Sequence, residues 1–296
     1  MICDLCPRKC SALRTEHEGQ GFCGMGTLPV VARIAPHYGE EPCISGTRGS
    51  GTVFFSGCTM KCLFCQNHEI SLTGKGVTLT PRELADGYRR LEEAGVHNLN
   101  LVTADHFVEA VAESLSIYRP KLPIIWNCSG YTSPKTLRLL DGLVDVYLPD
   151  LKYADDDLAR ELSRAPGYLS IATEAIGTML AQVGTPRFDG DGMIQRGVII
   201  RHLILPAHTR NSIAVLMHIK RHFEDVPVSL MCQYVPCGAA KQHATLNRTL
   251  TRREYEKVKR VLFDLDMDGY TQDLSAATEA YIPTWTTEKT DASSTG

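Results

Sequence analysis

Between residues 52 and 235, short runs of β-branched and aromatic residues alternate with longer stretches of helical period, and no other feature restricts the fold as strongly. The runs cover 52–57, 98–104, 123–129, 144–152, 198–205 and 228–235. Strands separated by helices of this length build a parallel sheet with crossover connections. Several helix starts are explicit. Thr80-Pro81-Arg82-Glu83 is a capping box with proline at the first helical position, Ser133-Pro134 opens another helix, and Thr251 with Glu254 repeats the box. Behind these starts Leu84, Tyr88 and Leu91, and then Tyr255, Val258, Leu262 and Leu265, recur at spacings of three and four and read as core. Six strand-helix units are too few for a closed eight-unit barrel. The choice lies between an open three-quarter barrel and a doubly wound sheet, and both place ligands at the carboxyl ends of the strands.

Cysteine is the compositional outlier. Of eleven cysteines, Cys3, Cys6, Cys10 and Cys23 form one group and Cys58, Cys62 and Cys65 a second, with Cys43 between them. Clustered cysteines in a reducing compartment usually hold metal, whereas a secreted disulfide scaffold would be shorter and carry a leader. The second group, Cys58-Thr59-Met60-Lys61-Cys62-Leu63-Phe64-Cys65, begins where the first strand ends, so its loop can wrap around a cluster. Three thiolates are one fewer than an iron-sulfur cube normally takes, which leaves one iron open to a substrate or cofactor. Three packing cysteines, or a zinc ion completed by a distant histidine, are the other readings of the same spacing.

The remaining composition excludes several function classes. Lys+Arg 31 against Asp+Glu 34, with no basic block, offers no electrostatic footprint for nucleic acid. The longest apolar runs, 122–126 and 198–200, are strand-sized and far short of a membrane span. Met1-Ile2-Cys3-Asp4 lacks the basic and apolar segments of a signal peptide, so a cytoplasmic location is expected.

The C-x3-C-x2-C spacing at the end of the first strand, with Phe64 before the last cysteine and Gln66-Asn67 after it, closely resembles the radical S-adenosylmethionine (SAM) superfamily. Within it the chain resembles the pyruvate formate-lyase activating enzyme-like branch. The segments Glu40-Glu41-Pro42-Cys43-Ile44-Ser45-Gly46, Leu148-Pro149-Asp150-Leu151-Lys152-Tyr153 and Gln233-Tyr234-Val235-Pro236 extend the likeness over nearly the whole chain. The resemblance implies a partial (β/α)6 barrel of the TIM type. It also implies a [4Fe-4S] cluster on Cys58, Cys62 and Cys65, whose open iron is chelated by the amino and carboxylate groups of SAM. One electron then breaks the sulfonium bond, and a 5'-deoxyadenosyl radical abstracts hydrogen from a substrate. Phe64, Gln66 and Asn67 would lie against the cofactor, and a low-potential donor such as flavodoxin or ferredoxin would supply the electron. A glycine of a partner protein, a glycyl radical enzyme, is the substrate class such activating enzymes suggest; a small molecule or peptide is the alternative.

Strand parity tests the rest of the site. In 144–152, Val146, Leu148, Asp150 and Lys152 share one face, so two charged groups follow apolar ones in the same direction. By resemblance Asp150 and Lys152 sit beside the cofactor's carboxylate or the substrate and are the catalytic candidates; an ordinary strand-end ion pair is the plainer reading. Arg201 shares a face with Ile199 and Leu203, and its planar fork suits a carboxylate, while His202 points the other way and reads as a core histidine. Asn127 and Ser129 end a third strand, where the family places ribose and methionine contacts. Many relatives carry Gly-Gly-Glu after the second strand to hold the cofactor's amino group. Here Thr103-Ala104-Asp105 stands instead, leaving the contact to Asp105 or to Thr103, with an ordinary N-cap as the other use for Asp105.

The set Cys3, Cys6, Cys10 and Cys23 has the four ligands of a closed site, suited to zinc or to a second [4Fe-4S] cluster. Cys128 and Cys232 read as small core residues, and Cys237 lies near the expected barrel mouth. The expected organisation is a cysteine-rich metal-binding extension over 1–50, the barrel over 51–282 and a frayed tail over 283–296. A rival from another class is a non-enzymatic electron carrier or interaction protein whose two cysteine sets are both closed. The missing fourth cysteine near Cys65 argues against it.

Overall fold

The computed structural model describes residues 2–278 and Trp285; apart from that tryptophan, the expected tail over 283–296 lies outside the described residues. The chain runs β1 (Val30–His37), α1 (Pro42–Ser45), β2 (Ser50–Phe55), α2 (His68–Thr73), β3 (Val77–Thr78), α3 (Pro81–Glu93), β4 (Leu99–Val102), α4 (Val108–Ile117), β5 (Ile124–Cys128), α5 (Pro134–Leu140) and β6 (Val146–Pro149). It continues α6 (Asp156–Ser163), α7 (Tyr168–Val183), β7 (Arg187–Phe188), β8 (Ile194–Val198), β9 (Ile200–Leu203), α8 (Thr209–His222), β10 (Val228–Met231), α9 (Arg252–Asp264) and β11 (Gly269–Thr271). Thr80 and Thr251 each accept from the third helical residue while Glu83 and Glu254 reach back to the cap, so both capping boxes form.

Strands β2, β4, β5 and β6 are parallel neighbours in that order, and β6 then meets β8. The strand expected over 198–205 is interrupted at Ile199, so β9 belongs with β10 and β11 in a second parallel sheet. Asp150 bridges Arg201 in parallel, and Leu151 N donates to Arg201 O at 2.8 Å, which carries the hydrogen-bonded wall across the interruption. On the far side β1 pairs antiparallel with β2, and β3 with β1. The sequence reading assigned no strand to 30–37.

Alternation sorts the side chains into two cores. Outward residues such as Val53, Leu101, Trp126 and Tyr147 are sealed by Leu84, Tyr88, Val111, Leu137 and Ile176 of the helices. Inward residues Ile125, Val146, Leu148 and Ile199 pack on Cys43 and Ile44 of α1, which plugs the inside of the sheet. Because β1 delivers His37 opposite Ser50, at the start of β2, this plug enters from the amino-terminal ends of the strands. Side chains of β4, β5 and β9 converge on Glu40, just before α1, and strands so far apart meet on one carboxylate only if the wall curls around it. The architecture is a partial barrel.

Candidate functional site

Gly57 follows β2 with φ +76°, and a Cβ there would fall 2.4 Å from Cγ of Met25, so only glycine makes this turn comfortably. The turn lifts the chain off the sheet and into the cysteine loop. Cys58 and Cys62 are buried and Cys65 is partly exposed. Met60 N lies 3.3 Å from Cys58 Sγ and Ser71 Oγ lies 3.6 Å from Cys65 Sγ, donors placed as for thiolates. Burial pushes Cys62 up to about 11 against the pull of Lys152, and burial together with the Cys62 and Cys58 charges pushes Cys65 up to about 12. Such thiols ionise when a metal centre supplies compensating charge. Among the described residues no three His, Cys, Asp or Glu side chains are gathered tightly enough to cage a single ion. A cube, unlike a single ion, takes its ligands at separate corners. The donor set, three soft sulfurs with no fourth, fits a cluster open at one iron.

From this loop a ladder of alternating charge runs down the bore. Lys152, held above the usual lysine range because Asp150 and Cys62 outweigh the cost of its burial, has its Nζ 2.5 Å from Asp150 Oδ2. Arg201 follows: its Nη1 donates to Glu40 Oε2 at 3.0 Å and its Nε faces Glu41 Oε1 at 3.4 Å. Burial opposes the Arg201 charge, and Glu41, Glu40 and Asp150 outweigh it. Glu40 Oε1 in turn accepts from Asn100 Nδ2 at 3.2 Å and Asn127 Nδ2 at 3.5 Å. The face that strand parity gives Asp150 and Lys152 with Val146 and Leu148, and Arg201 with Ile199, is the inner one, and it brings them into one network. Parity gave no hint of Glu40 and Glu41, although the likeness of 40–46 to the activating-enzyme branch marked the segment.

The other candidates divide. Gln66 donates through Nε2 to Gln233 O at 2.9 Å, Phe64 packs on Tyr234 with ring centroids 6.4 Å apart, and Asn67 accepts at its carbonyl from Ser71 N, so this trio braces the cysteine loop. Thr103 ends β4 with φ +61°, a strained conformation for a β-branched residue, and its N–H donates to Asn127 O at 2.9 Å. Asp105 is not brought to the bore. It is buried on the helix side near Cys128, it accepts from Thr132 Oγ1 at 2.5 Å, and burial raises it to about 6. Ser129 is partly exposed at the end of β5, and its carbonyl accepts from the hydroxyl of Tyr168 at 2.8 Å. That hydroxyl also accepts from Lys152 N and lies 2.9 Å from Asp150 O, tying the ends of β5 and β6 together; no local pattern singled Tyr168 out. Gly130 allows the same approach, since a Cβ there would lie 2.2 Å from Asp150 O.

The amino-terminal cysteines dock on this rim. Cys6 is pushed up to about 12 by burial, with Cys23, Cys3 and Cys10 adding to it, so the four thiols are electrostatic neighbours. Arg14 Nη1 lies 3.6 Å from Cys3 Sγ. Arg8 donates through Nε to Thr59 O at 2.7 Å and through Nη2 to Ser163 O at 3.2 Å, and stacks on Phe22 at 3.9 Å. The carbonyl of Leu5 accepts from Ser133 Oγ at 2.5 Å and Thr136 Oγ1 at 2.6 Å. Arg8 thus joins the first cysteine set to the loop of the second.

Residues 52–213 match the radical SAM superfamily. The chain belongs to that superfamily. Membership brings a [4Fe-4S] cluster and SAM with it, and the partial barrel is the radical SAM core. The chain is 28% identical over 277 residues, 90% of its own length and 75% of the other's, to an uncharacterized protein of Methanocaldococcus jannaschii. Among solved structures it resembles a radical SAM methyltransferase from Sphaerobacter thermophilus (TM-score 0.47, 17% identity, 75% of this chain and 65% of that one). It also resembles a domain of pyruvate-formate lyase-activating enzyme from Bacteroides vulgatus (TM-score 0.39, 13% identity, 65% and 91%). The match thus spans less than two thirds of the methyltransferase. Among the described residues no helix is long and apolar enough to cross a membrane.

Proposed function

We propose that this radical SAM protein is an enzyme in which Cys58, Cys62 and Cys65 hold the [4Fe-4S] cluster and the bore beneath them receives SAM and substrate. When bound, the reduced cluster would supply one electron to the sulfonium of SAM, and the chemistry this makes available is cleavage to methionine and a 5'-deoxyadenosyl radical able to take one hydrogen atom from the substrate. The observation that carries the reading is the trio of thiols, two buried and one partly exposed, on a strand-end loop facing the Lys152–Asp150 pair.

The chain's own residues have these tasks. Lys152, oriented by Asp150 and by the backbone anchor at Tyr168, meets the cofactor's carboxylate at the mouth. Arg201, engaged by Glu40 and Glu41, stands behind it. Asn127 and Ser129 suit ribose hydroxyls, and the left-handed turn at Thr103 offers backbone acceptors to the amino group, a task for which the placement of Asp105 is unsuited. Phe64, Gln66 and Asn67 keep the loop closed over the sulfurs. The set Cys3, Cys6, Cys10 and Cys23 takes zinc or a second cluster, and its attachment through Arg8 favours a cluster that passes electrons from a flavodoxin or ferredoxin.

Anaerobic reconstitution is the test. Wild-type protein should bind iron and sulfide and release 5'-deoxyadenosine with SAM and a reductant, and a variant with Ala at Cys58, Cys62 and Cys65 should release none. Reconstituted, reduced wild-type protein that yields no 5'-deoxyadenosine rules the function out. For the substrate, a glycine of a partner protein is one reading. A small molecule or peptide is the second, and the carboxylates at the floor of the bore favour it.

A further inference from the structure

The bore gathers Lys152 and Arg201 with the carboxylates Asp150, Glu40 and Glu41, and His37 and Arg33 belong to the same electrostatic group. Two acceptors at its floor are left over. Among the described residues Glu41 Oε2 and Asn100 Oδ1 have no hydrogen-bond partner, and these residues are only 7% and 0% exposed. Asn100 is fixed in that orientation, because its Nδ2 must face the Glu40 carboxylate, leaving Oδ1 as a bare acceptor. Two unpartnered buried acceptors, one of them on a carboxylate whose other oxygen meets only Arg201 Nε at 3.4 Å, are costly unless something supplies the missing donors.

Lys152 and Arg201 already have partners. Lys152 is paired with Asp150. Arg201 donates through Nη1 to Glu40 and through Nη2 to Met231 Sδ at 3.4 Å, while its Nε lies 3.4 Å from Glu41 Oε1 without a hydrogen bond. The inward-facing Glu40, Asn127, Asp150, Lys152 and Arg201 retain partial exposure, whereas Glu41 and Asn100 are buried. The α-amino group of SAM is not the missing donor on the function proposed above, because it belongs with the cluster at the carboxyl ends of the strands. Glu40 and Glu41 enter with the plug from the opposite ends. Asn100 lies three residues before Thr103, roughly 10 Å below the mouth at about 3.3 Å per residue.

We infer that Glu41, with Glu40 and Asn100, recognises the ammonium or guanidinium end of the substrate. A chain with the four-carbon stem of lysine would rest its charged end on the floor and hold its carbon–hydrogen bonds toward the mouth. The substrate class is a basic alkyl chain, either a free basic amino acid or a basic side chain of a peptide. This inference rests on the radical SAM function proposed above.

The test is isothermal titration of cluster-reconstituted, SAM-loaded protein. The probes are L-lysine and L-arginine, their uncharged counterparts L-norleucine and L-citrulline, and a lysine-containing peptide beside its norleucine analogue. Wild-type protein should prefer the charged member of at least one pair by tenfold or more. Whether the amino acid or the peptide shows that preference identifies the source. Glu41→Gln should abolish the preference and Glu41→Asp should keep part of it, with circular dichroism confirming the fold. No preference in wild type, including no binding of any charged probe, overturns the inference, as does a preference intact in a folded Glu41→Gln. If Glu41→Gln does not fold, the wild-type pairs still decide. Failure of the underlying function is read separately, as absence of 5'-deoxyadenosine from the wild-type protein without any probe.

Discussion

Replacing Tyr168 by phenylalanine removes one oxygen from the junction of β5 and β6 and leaves the ring in place. The residue is fully buried. Its hydroxyl accepts from Lys152 N at 2.9 Å and lies 2.8 Å from Ser129 O and 2.9 Å from Asp150 O. A hydroxyl carries one proton, so it makes one accepted and one strong donated bond at a time. The substitution leaves one N–H and one carbonyl without a partner, and at about 1–3 kcal/mol for each orphaned buried group the loss is roughly 2–6 kcal/mol. At roughly 2 °C per kcal/mol for a chain this long, the melting midpoint should fall by about 4–12 °C. Tyr131→Phe is the control. It loses only the bond from its hydroxyl to Pro166 O at 3.0 Å and should cost about 1 kcal/mol. Because the lost bond anchors the backbone of Lys152, Tyr168→Phe should also weaken SAM binding to reconstituted protein, which Tyr131→Phe should leave nearly unchanged. Calorimetry and titration check both effects. A midpoint shift no larger than that of the control, with unaltered SAM affinity, refutes the idea that this hydroxyl positions Lys152.

Asp105 has its proton held by burial to about 6, against an unfolded value of about 3.9. Between those values the folded state binds the extra proton, so this group's contribution falls as pH rises from 4 to 6, by roughly 2–3 kcal/mol. Asp105→Asn keeps an acceptor for Thr132 and removes the titration; urea unfolding should show stabilisation at pH 7.5 and little change at pH 4, and an equal effect at both contradicts the account. His106 and His202 are both driven down to about 4 by burial, so their neutral forms contribute stability above about pH 6.5 that is lost as pH falls toward 4. Replacing His202 by Gln should flatten that acid limb, which a pH series of urea midpoints measures. Arg8→Ala removes charged bonds to Thr59 O and Ser163 O, each worth about 1.5–3 kcal/mol, and should speed chelator extraction of iron from reconstituted protein. Lys should not restore the wild-type rate, because one ammonium cannot reproduce the guanidinium fork; an unchanged rate in Arg8→Ala disproves the brace.

What could be read from the chain and what could not divides by range. Both threonine capping boxes and the strand preceding Cys58 depend on residues within a few positions of one another, and they form as the sequence indicates. Parity along a strand is also local, so Asp150 and Lys152 share a face with Val146 and Leu148, and Arg201 with Ile199, whatever they go on to meet; that this face is the inner one comes from the packing on α1. The interruption at Ile199 escaped notice because 198–205 is uniformly strand-like. Gly197, at φ +124° with Pro186 pressed where its Cβ would lie, marks the bend just before it. Asp105 went to the far side of the sheet because the turn through Thr103 and Ala104 reverses the chain before it, a geometry that residue types alone do not specify.

By itself the order of residues determined the strand-helix alternation, the cysteine loop at a strand end and the face on which the charged groups stand. Each follows from backbone sterics, capping or side-chain period over short stretches of chain. Only the tertiary structure decided which groups would be partners. Arg201 meets Glu40 across 161 positions and Arg8 meets Ser163 across 155, and such pairs are fixed by how the sheet curls and where the plug enters it. Charges separated so widely along the chain interact only after the barrel has brought them together and excluded most of the water between them, so the acidic floor exists in the fold and has no counterpart in any local stretch of sequence.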